Sequence, residues 1–451
     1  MTRFDSLTES AVAAATEDGL TLAELTRELE EHGLSISRVV HDPTRIFPNT
    51  FYADPDRGCY IQIYLQRAYM PVLREVLKHL TQHGVASKSL AKGDWDTYYI
   101  KDVPVPMLIY DFQLHYLEIP TSEVFRVWYS IYNRIDYSNG MWRRDVLEYV
   151  FDHAPAMEIP EPDGDGLITL YRGIGTLSTP PEQAISWSAH PGNALWFANH
   201  FGRGTALAVA RVKPEQVVAY YPTYRNENEV ILRPGAEKEL CYEEMIPSVE
   251  NSVVALLARA LPDFCRYGPL AKVLGYQDSG NPFRIHGVSH VLRVLLLSLI
   301  YYYNSGDALD EEDKMVLVYF SLLHDFGRTS EGVDDEHGDK AMERIRREGT
   351  RLKGVHLSKK DYHIAELLIR YHCRDDQTGT AAIAVESRLT ARDKVRAKKL
   401  YDICKDMDGL DRVRFNGLDY RLLRTPYARK LPLVAGGLLK EKLVDFLNDH
   451  C

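Results

Sequence analysis

Hydrophobic positions recur at helical spacing through much of the first 160 residues. The segment LTLAELTRELEEHG, residues 20–33, places its leucines on one helical face, and MPVLREVLKHLTQHG, residues 70–84, repeats the stripe before a glycine. We therefore expect a mostly helical N-terminal region over residues 1–160. The first of these helices and the following ISRVV fit either a helix-turn-helix or an ordinary helical hairpin. The Pro- and Asp-rich stretch APAMEIPEPDGDG, residues 154–166, marks the end of this region.

The hydrophobic pattern then changes to short runs that are typical of strands. The runs LITLYRG, AISWSA, TALAVARV, QVVAYY and NEVILRP are rich in β-branched or aromatic residues and are bounded by Gly, Pro or Asn. Between them, NALWFANHFG predicts one amphipathic helix. We expect a small β-rich module over residues 161–240. Residues 241–451 return to helical periodicity and predict an all-α domain, so the fold class is α+β with several domains. The strongest helical runs lie at 285–304, 311–327, 361–372 and 393–412.

Composition places the chain among soluble proteins. It has 451 residues, of which 45% are hydrophobic and 26% charged, and roughly 150 residues per domain predicts about three domains. A formal net charge of -10 argues against bulk nucleic-acid binding. The six cysteines include no CxxC pair, which favours a reducing compartment. The most apolar run, VLRVLLLSLIYYY, is shorter than the ~20 residues of a membrane span and contains Arg293.

The start of the chain carries no apolar stretch long enough for a secretory signal. We therefore expect a cytoplasmic protein without a membrane segment, or one delivered to a host cytosol by a Sec-independent route.

Five polar residues on or beside the predicted strands of the β-rich module follow the order Arg, Ser, Ser, Glu, Glu. Arg172, in YRG, ends the first predicted strand; Ser186 and Ser188 lie in SWS on the second; Glu227 and Glu229 open a later one. Alternation along a strand places each pair on one face. An arginine fork can bind a phosphate, one carboxylate can stabilise an oxocarbenium-like ribose cation, and the other can orient a nucleophile. Taken singly, the serines and glutamates are more typical of a solvated strand face, and Arg172 also fits a salt-bridged residue at a strand end.

The segment 170–234 resembles the Arg-Ser-Glu class of ADP-ribosyltransferases, the fold of many bacterial toxins. The resemblance implies cleavage of the nicotinamide–ribose bond of NAD and transfer of ADP-ribose to an acceptor, with a protein favoured. By position, Arg172 would hold NAD, Ser186 would brace the catalytic Glu229, and Ser188 is a further candidate for NAD contact. Glu227 matches the glutamate that orients the acceptor in arginine-modifying members. A tryptophan stands between the serines where the family usually has threonine.

Histidines and aspartates in the C-terminal region form a second pattern. His286 and His290 are spaced i to i+4, which places them on one helical face. The adjacent His324 and Asp325 end an apolar helix. Further candidates along the helical region are His337, His372, Asp406, Asp408 and Asp411. This mixture of imidazole and carboxylate ligands suits iron, manganese, magnesium, zinc or nickel. A pair of ions about 4 Å apart would activate water and neutralise phosphate charge.

The order H…HD…D resembles the HD phosphohydrolase superfamily, an all-helical metal-dependent fold, over about 170 residues. The resemblance implies hydrolysis of a phosphoester or phosphoanhydride, commonly of a nucleotide. It implies a set of metal ligands made of His290, His324, Asp325 and Asp408, with His337 and His372 for a second metal. His286 lies outside the minimal motif and would contact substrate phosphate or cap the helix. Arg328 is a candidate phosphate clamp.

The segments HGVSHVLRV and DMDGLDRVR also resemble the phosphodiesterase domains of SidE-type effectors, which act beside an ADP-ribosyltransferase domain in one chain. There His286 would be a candidate nucleophile or acid, and the metal dispensable. We favour a bifunctional enzyme in which covalent joining raises the concentration of one site's product at the other. One alternative is an HD nucleotide hydrolase whose β-rich module binds a nucleotide but is inactive. Another is a non-catalytic nucleotide sensor or defence regulator.

Overall fold

The protein, as a computed structural model, is described over residues 5–8, 18–42, 49–82, 87–135, 141–176, 178–200, 204–248, 250–276, 286–329 and 332–440. The chain divides into two compact units. Unit 1 comprises Met1–Leu170, Thr176–Ala189 and Ala210–Glu239, and unit 2 comprises Tyr171–Gly175, His190–Val209 and Leu240–Cys451. The boundaries of these units fall within the β-rich segment, and the three-part division of the chain stays a prediction.

The N-terminal region contains a four-stranded antiparallel sheet that the sequence pattern did not predict. Its strands, in spatial as well as chain order, are β1 (Asp5–Ser6), β2 (Val39–His41), β3 (Thr50–Asp54) and β4 (Cys59–Gln62). The expectation of a mostly helical region is therefore wrong for its first part. The helix-turn-helix reading is also wrong, because a single 3₁₀ turn leads directly into β2. Strands of two to five residues carry too few alternations to show a period of two.

The rest of the N-terminal region is helical, as expected. Its helices are α1 (Leu22–Glu31), α2 (Met70–Thr81), α3 (Lys88–Ala91), α4 (Trp95–Thr97), α5 (Leu108–His115), α6 (Val124–Tyr132) and α7 (Arg144–Asp152). The start of α1 is set by a capping box between Thr21 and Glu24, which satisfies two backbone donors. Helix α6 directs Trp128 and four aliphatic or aromatic neighbours into the core of unit 1 and leaves Tyr129 half-buried on another face.

The β-rich segment forms the five strands and the helix that its pattern predicts, followed by a sixth strand that the pattern did not predict. The elements are β5 (Ile168–Gly175), β6 (Ser186–Ser188), α8 (Pro191–His200), β7 (Gly204–Val212), β8 (Val217–Tyr221), β9 (Glu229–Leu232) and β10 (Glu239–Glu243). The strand order is β10-β7-β5-β6-β9-β8. Within unit 1, β9 pairs antiparallel with β6 and β8, so that Ser188 and Tyr221 both lie opposite Glu229.

The C-terminal region is helical over its described residues beyond β10, which agrees with the prediction. Its helices are α9 (Glu250–Tyr267), α10 (Pro269–Val273), α11 (Val288–Asn304), α12 (Glu311–Leu323), α13 (His337–Glu348), α14 (Lys359–Tyr371), α15 (Asp376–Val385), α16 (Ala391–Leu410) and α17 (Pro432–Lys440). Helices α11 and α12 are buried around nearly their whole circumference and form the centre of the unit 2 core. Among the described helices, none combines the length and the hydropathy that crossing a bilayer requires.

Close backbone packing joins α13 to α14. A Cβ atom on Gly338 would lie 2.3 Å from the Ile369 carbonyl oxygen and 2.8 Å from that of Arg370. Backbone atoms cannot yield as the tip of a long side chain can. The glycine therefore allows the beginning of α13 and the end of α14 to approach each other.

We predict that Gly338→Ala destabilises the protein by about 1–3 kcal/mol, because overpacking outweighs the roughly 1 kcal/mol that alanine gains over glycine in a helix. Gly409→Ala is the matched control. A Cβ at Gly409, in α16, meets only the Leu423 side chain at 3.6 Å, so this variant should be neutral or stabilised. Urea unfolding followed by circular dichroism measures both variants. Equal stability of the two would contradict the close packing of α13 on α14.

Candidate functional site

The first histidines of the C-terminal cluster lie at the start of α11. Helix α11 begins at Val288, so His286 precedes the helix, and the expectation that both histidines lie on one helical face is corrected. The two side chains nevertheless meet, with ring centroids 5.6 Å apart. His286 Nδ1 lies 2.9 Å from Asp325 Oδ2, and His290 Nε2 lies 3.4 Å from the same oxygen.

Asp325 is the point at which the cluster converges. It follows His324 at the end of α12, and both residues are buried because α12 runs through the core. His337, the first residue of α13, places Nε2 at 3.1 Å from Asp325 Oδ1, and His372, after the end of α14, lies 3.8 Å from that oxygen. Asp408, on α16, places Oδ1 at 3.4 Å from His290 Nε2 and 3.7 Å from His324 Nε2. All six residues predicted as ligands thus come together.

Hydrogen bonds at Nδ1 fix the tautomer of four histidines. The acceptors are Asp411 for His290 at 2.7 Å, the Ser321 carbonyl for His324 at 3.1 Å, the Asp334 carbonyl for His337 at 2.5 Å and the Ile369 carbonyl for His372 at 2.7 Å. An acceptor at Nδ1 keeps the hydrogen there and leaves a lone pair on Nε2. Four Nε2 atoms therefore point toward Asp325 and Asp408, and each offers a lone pair when its ring is neutral.

These lone pairs face one another in two close contacts. His290 Nε2 lies 3.2 Å from His324 Nε2, and His337 Nε2 lies 2.8 Å from His372 Nε2. Two lone pairs at such distances repel unless a proton or a metal ion lies close to them. The donor set of imidazole nitrogens and carboxylate oxygens is one that divalent first-row metals and zinc accept. The residues therefore fit a metal ion.

Several combinations of ligand atoms lie within 4.8 Å of one another. The groups are His286 with His290 and Asp325, His290 with His324 and Asp408, His324 with Asp325 and His372, and His337 with His372 and Cys373. Cys373 is the poorest donor among them. Burial raises the pKa of its thiol, which donates a hydrogen bond to the Asp335 carbonyl at 3.2 Å. These buried groups can hold a metal ion without the thiol.

The electrostatics of the cluster favour positive charge at its centre. Burial lowers the pKa of His324 to about 4, so this ring is neutral. Burial also acts to lower the pKa of His290, but the carboxylates of Asp325, Asp408 and Asp411 raise it to about 10. Without a metal ion, a proton on His290 compensates part of the negative charge of these three carboxylates.

A buried aspartate supports His290 from behind. Asp411 accepts from His290 Nδ1 and from two arginines, with Arg293 Nε at 2.5 Å and Arg414 Nη1 at 2.7 Å. Burial would raise the pKa of Asp411, but His290 and Arg293 lower it to about 2. The sequence pattern named Asp411 without giving it this role. Arg293 lies one helical turn after His290, a spacing that could have indicated it.

Two other residues of the sequence motif have structural partners. Asp406 accepts from the backbone amides of Arg424 and Thr425 and lies outside the cluster. The Arg328 guanidinium contacts the cluster itself, with Nε 3.3 Å from Asp325 Oδ1, and its Nη1 donates to the Gly332 carbonyl. Its role as a phosphate clamp stays a prediction.

In unit 1, a buried carboxylate lies at the first residue of β9. Glu229 is 8% exposed and accepts two hydrogen bonds, from Ser186 Oγ to Oε1 at 2.7 Å and from Tyr129 Oη to Oε2 at 3.0 Å. Ser186 lies opposite Ile231 in the β6–β9 register, so the bond to Glu229 is a diagonal contact on one face of the sheet. Burial raises the pKa of Glu229 in spite of both donors. Sequence reasoning missed Tyr129.

The turn before β9 separates Glu227 from Glu229. Arg225, Asn226 and Asn228 all have positive φ angles of 50–55°, so the alternation that would place both glutamates on one strand face is broken. The prediction that Glu227 and Glu229 share one face of a strand is therefore wrong, because the strand begins at Glu229. Its carboxylate lies 3.2 Å from Arg225 Nε, and its carbonyl accepts from Ser188 Oγ at 2.9 Å. Ser188 thus braces this turn.

Arg172 lies in unit 2, on β5, and is half-buried. The glycine after it has a clear packing reason, since a Cβ on Gly173 would lie 2.0 Å from the Ala194 carbonyl oxygen and 2.4 Å from the Ala198 nitrogen. Strand β5 and helix α8 therefore meet through backbone. Participation of Arg172 in one NAD site with Glu229 stays a prediction.

Comparison of the chain with protein-family models, curated proteins and solved structures finds no match. The resemblances to ADP-ribosyltransferases and to the HD superfamily therefore rest on the sequence motifs alone.

We predict that the full chain binds a divalent metal and that Asp408→Asn lowers its metal content at least tenfold after dialysis, because the variant loses a ligand charge. In this variant the buried His290 keeps Asp325 and Asp411 as partners, so the substitution leaves no buried cation unpaired. His356→Gln, at an exposed histidine remote in sequence from the motifs, is the control. Elemental analysis at a fixed protein concentration reports the result. Equal metal content in wild type and Asp408→Asn would contradict the proposed ligand set.

Proposed function

We propose that the histidine–aspartate cluster of unit 2 is the centre of a metal-dependent phosphohydrolase of HD type. The observation that carries this proposal is the convergence of four histidine Nε2 atoms on the Asp325 and Asp408 carboxylates. In a purely structural histidine cluster, protein donors would occupy the Nε2 atoms of neutral rings, whereas here the Nε2 atoms face one another in pairs. The substrate class is a phosphoester or phosphoanhydride of a nucleotide or of an ADP-ribosyl group.

In this proposal some residues of the cluster would bind the metal ion, and others would bind or protonate the substrate. His290, His324, Asp325 and Asp408 would form one ligand set, and His337 and His372, which lie beside Asp325, would extend it. A bound divalent ion supplies Lewis acidity and neutralises phosphate charge. Asp411 fixes the His290 ring through Nδ1, which orients Nε2 toward the centre.

His286 is suited to proton transfer. Its side chain is 16% exposed, whereas those of His290 and His324 are 1% and 0% exposed. The Asp325 carboxylate orients the His286 ring through Nδ1. A ring held in this way can give a proton to, or take one from, a leaving oxygen at the edge of the site. Arg328, beside Asp325, would add positive charge for the phosphate.

We propose a second activity, ADP-ribosyl transfer from NAD, for the Glu229 site. The observation that favours it is the Ser186 hydrogen bond to Glu229, which matches the serine–glutamate contact that the resemblance implies. The Glu229 carboxylate would stabilise the ribose cation as nicotinamide leaves. Arg172 would bind NAD, and Glu227 would orient the acceptor, which we take to be a protein. Ser188 holds the turn that carries Glu227.

The two activities make a bifunctional enzyme, in which the hydrolase acts on the ADP-ribosyl product or on a nucleotide. Two alternatives give different outcomes in the same experiments. A hydrolase with an inactive β-rich module would hydrolyse phosphoesters and release no nicotinamide. A nucleotide sensor would bind nucleotide and perform neither reaction.

For the hydrolase, we predict that the manganese-loaded chain hydrolyses ADP-ribosylated peptide, ADP-ribose or a nucleotide. Asp408→Asn should lower kcat at least 100-fold because a ligand is lost, and His356→Gln should not. Phosphate-product analysis by mass spectrometry measures the reaction with and without a chelator. Activity that survives both the chelator and Asp408→Asn but is lost in His286→Ala would overturn the metal-dependent mechanism in favour of the SidE-type one. Absence of activity on every substrate would favour the sensor.

For the transferase, we predict that Glu229→Gln lowers nicotinamide release from NAD at least 100-fold, because a neutral amide no longer stabilises the ribose cation. Glu215→Gln, at an exposed glutamate in the same unit, is the matched control and should retain activity. Labelled NAD, a cell lysate and mass spectrometry identify the acceptor and the attached group. If the wild-type chain releases no nicotinamide with any acceptor, the transferase proposal fails.

A further inference from the structure

The Glu229 carboxylate is held at both of its oxygens by donors from distant parts of the chain. Ser186 reaches Oε1 from β6, 43 residues away in sequence, and Tyr129 reaches Oε2 from α6, 100 residues away. Two donors on two oxygens fix the plane of the carboxylate as well as its position. The N-terminal region, whose role the sequence left open, thus contributes directly to this site.

Tyr129 is itself held in place. Its ring stacks on that of Tyr221 with centroids 4.0 Å apart and an interplanar angle of 9°. Tyr221 lies directly opposite Glu229 in the β8–β9 register. On the other side, α6 is anchored by fully buried residues such as Trp128. The Tyr129 hydroxyl is therefore presented to Glu229 by packing that does not depend on the hydrogen bond.

We propose that Tyr129 is a positioning residue for the Glu229 carboxylate, which it orients and whose ionised form it stabilises by hydrogen bonding for NAD cleavage. The inference rests on the proposed ADP-ribosyl transfer and extends it to the N-terminal region. Tyr129 acts through Glu229, since it is the glutamate that would contact the ribose.

The groups around Glu229 determine the direction of the expected effect. They are Ser186 on β6, Tyr129 on α6, Tyr221 on β8, and Glu227 and Arg225 in the preceding turn. Burial raises the pKa of Glu229 most, and Glu227 adds to this. Hydrogen bonds from Ser186 and Tyr129 lower the pKa, as does the charge of Arg225. Removing the Tyr129 hydroxyl takes away one of the two hydrogen bonds that stabilise the ionised form.

The direction of the expected shift in the pH profile follows from the ionisation state of Glu229 that the reaction needs. A protonated carboxyl cannot stabilise the ribose cation, so nicotinamide release falls as the pH drops through the pKa of Glu229. A higher pKa in Tyr129→Phe moves this fall to higher pH. At a pH above the Glu229 pKa of both wild type and Tyr129→Phe, the carboxylate is ionised in either protein. The difference between their rates of nicotinamide release should then shrink to the contribution of carboxylate orientation alone.

The test is the pH profile of nicotinamide release, as kcat/KM, for the full-length wild type and Tyr129→Phe. We expect the midpoint of the acid limb to rise by about one pH unit in the variant, a size in keeping with the loss of one hydrogen bond to a carboxylate. Tyr132→Phe, at a tyrosine one turn along α6, is the matched control and should keep the wild-type midpoint. Phenylalanine retains the ring that stacks on Tyr221, so a purely structural tyrosine would leave the midpoint unchanged.

A second substitution protects the test against a folding defect. Replacing Tyr129 with 3-fluorotyrosine keeps the shape of the side chain and makes the hydroxyl a stronger donor. The acid limb should then move to lower pH, opposite to its shift in Tyr129→Phe. Opposite shifts support the proposal, and an acid limb that moves in neither variant overturns it.

The outcomes separate this inference from the proposed function. If the wild type releases nicotinamide and both variants keep its acid limb, the transferase stands and the role of Tyr129 fails. If the wild type releases none, the transferase fails, and infrared titration of the Glu229 carboxyl band still tests the contact. That band is assigned by its loss in Glu229→Gln. The proposal requires it to titrate at higher pH in Tyr129→Phe than in wild type, and equal titration overturns it.

Discussion

A carboxylate that is 3% exposed, on Asp325, determines how the helices of unit 2 present their polar residues. Burying an ion costs several kcal/mol unless other groups compensate its charge. Five histidines each lie within 4 Å of one of its two oxygens. They are His286 before α11, His290 on α11, His324 after α12, His337 at the start of α13 and His372 after α14. Burial acts to raise the pKa of Asp325, but these histidines hold it well below its usual range. The polar ends of four helices are thus tied to one buried charge.

The buried carboxylate of unit 1 has a different environment. Glu229 is met by two neutral hydroxyl donors, and its pKa stays above the usual value. Asp325 is surrounded by imidazoles, which can carry a proton or bind a metal ion, and by the Arg328 guanidinium. The contrast matches the two proposed chemistries: a carboxylate that would share a metal ion has imidazole nitrogens beside it as further ligands, whereas the one that would stabilise a transient cation is held by neutral hydroxyl donors. The Arg225 guanidinium in the preceding turn forms its ion pair with Glu227.

The fold and the sites differ in how far the sequence predicts them. Helices such as α11 and α12 are long and apolar, so their pattern is unambiguous, and the histidines at their ends can be placed near one another. The phase of α16 also carries information: Asp408 and Asp411 are three residues apart and share a side, whereas Asp406 does not. The strands β1 to β4 are too short for their period to be visible. No pattern marks Tyr129, since its partner is 100 residues away and the neighbouring Tyr132 looks the same in sequence.

The core of unit 1 explains why the Glu229 site cannot be understood from the β-rich segment alone. Ala219 on β8 and Ile231 on β9 are fully buried in the same hydrophobic cluster as Trp128 and other residues of the N-terminal helices. Glu229 lies on β9 beside Ile231 and is covered by Tyr129 of α6. Its low exposure therefore depends on the sheet and on α6. A segment cut to residues 161–240 would lose the apolar partners of β8 and β9 as well as the Tyr129 hydroxyl. The N-terminal region is therefore part of what makes Glu229 a buried, oriented carboxylate.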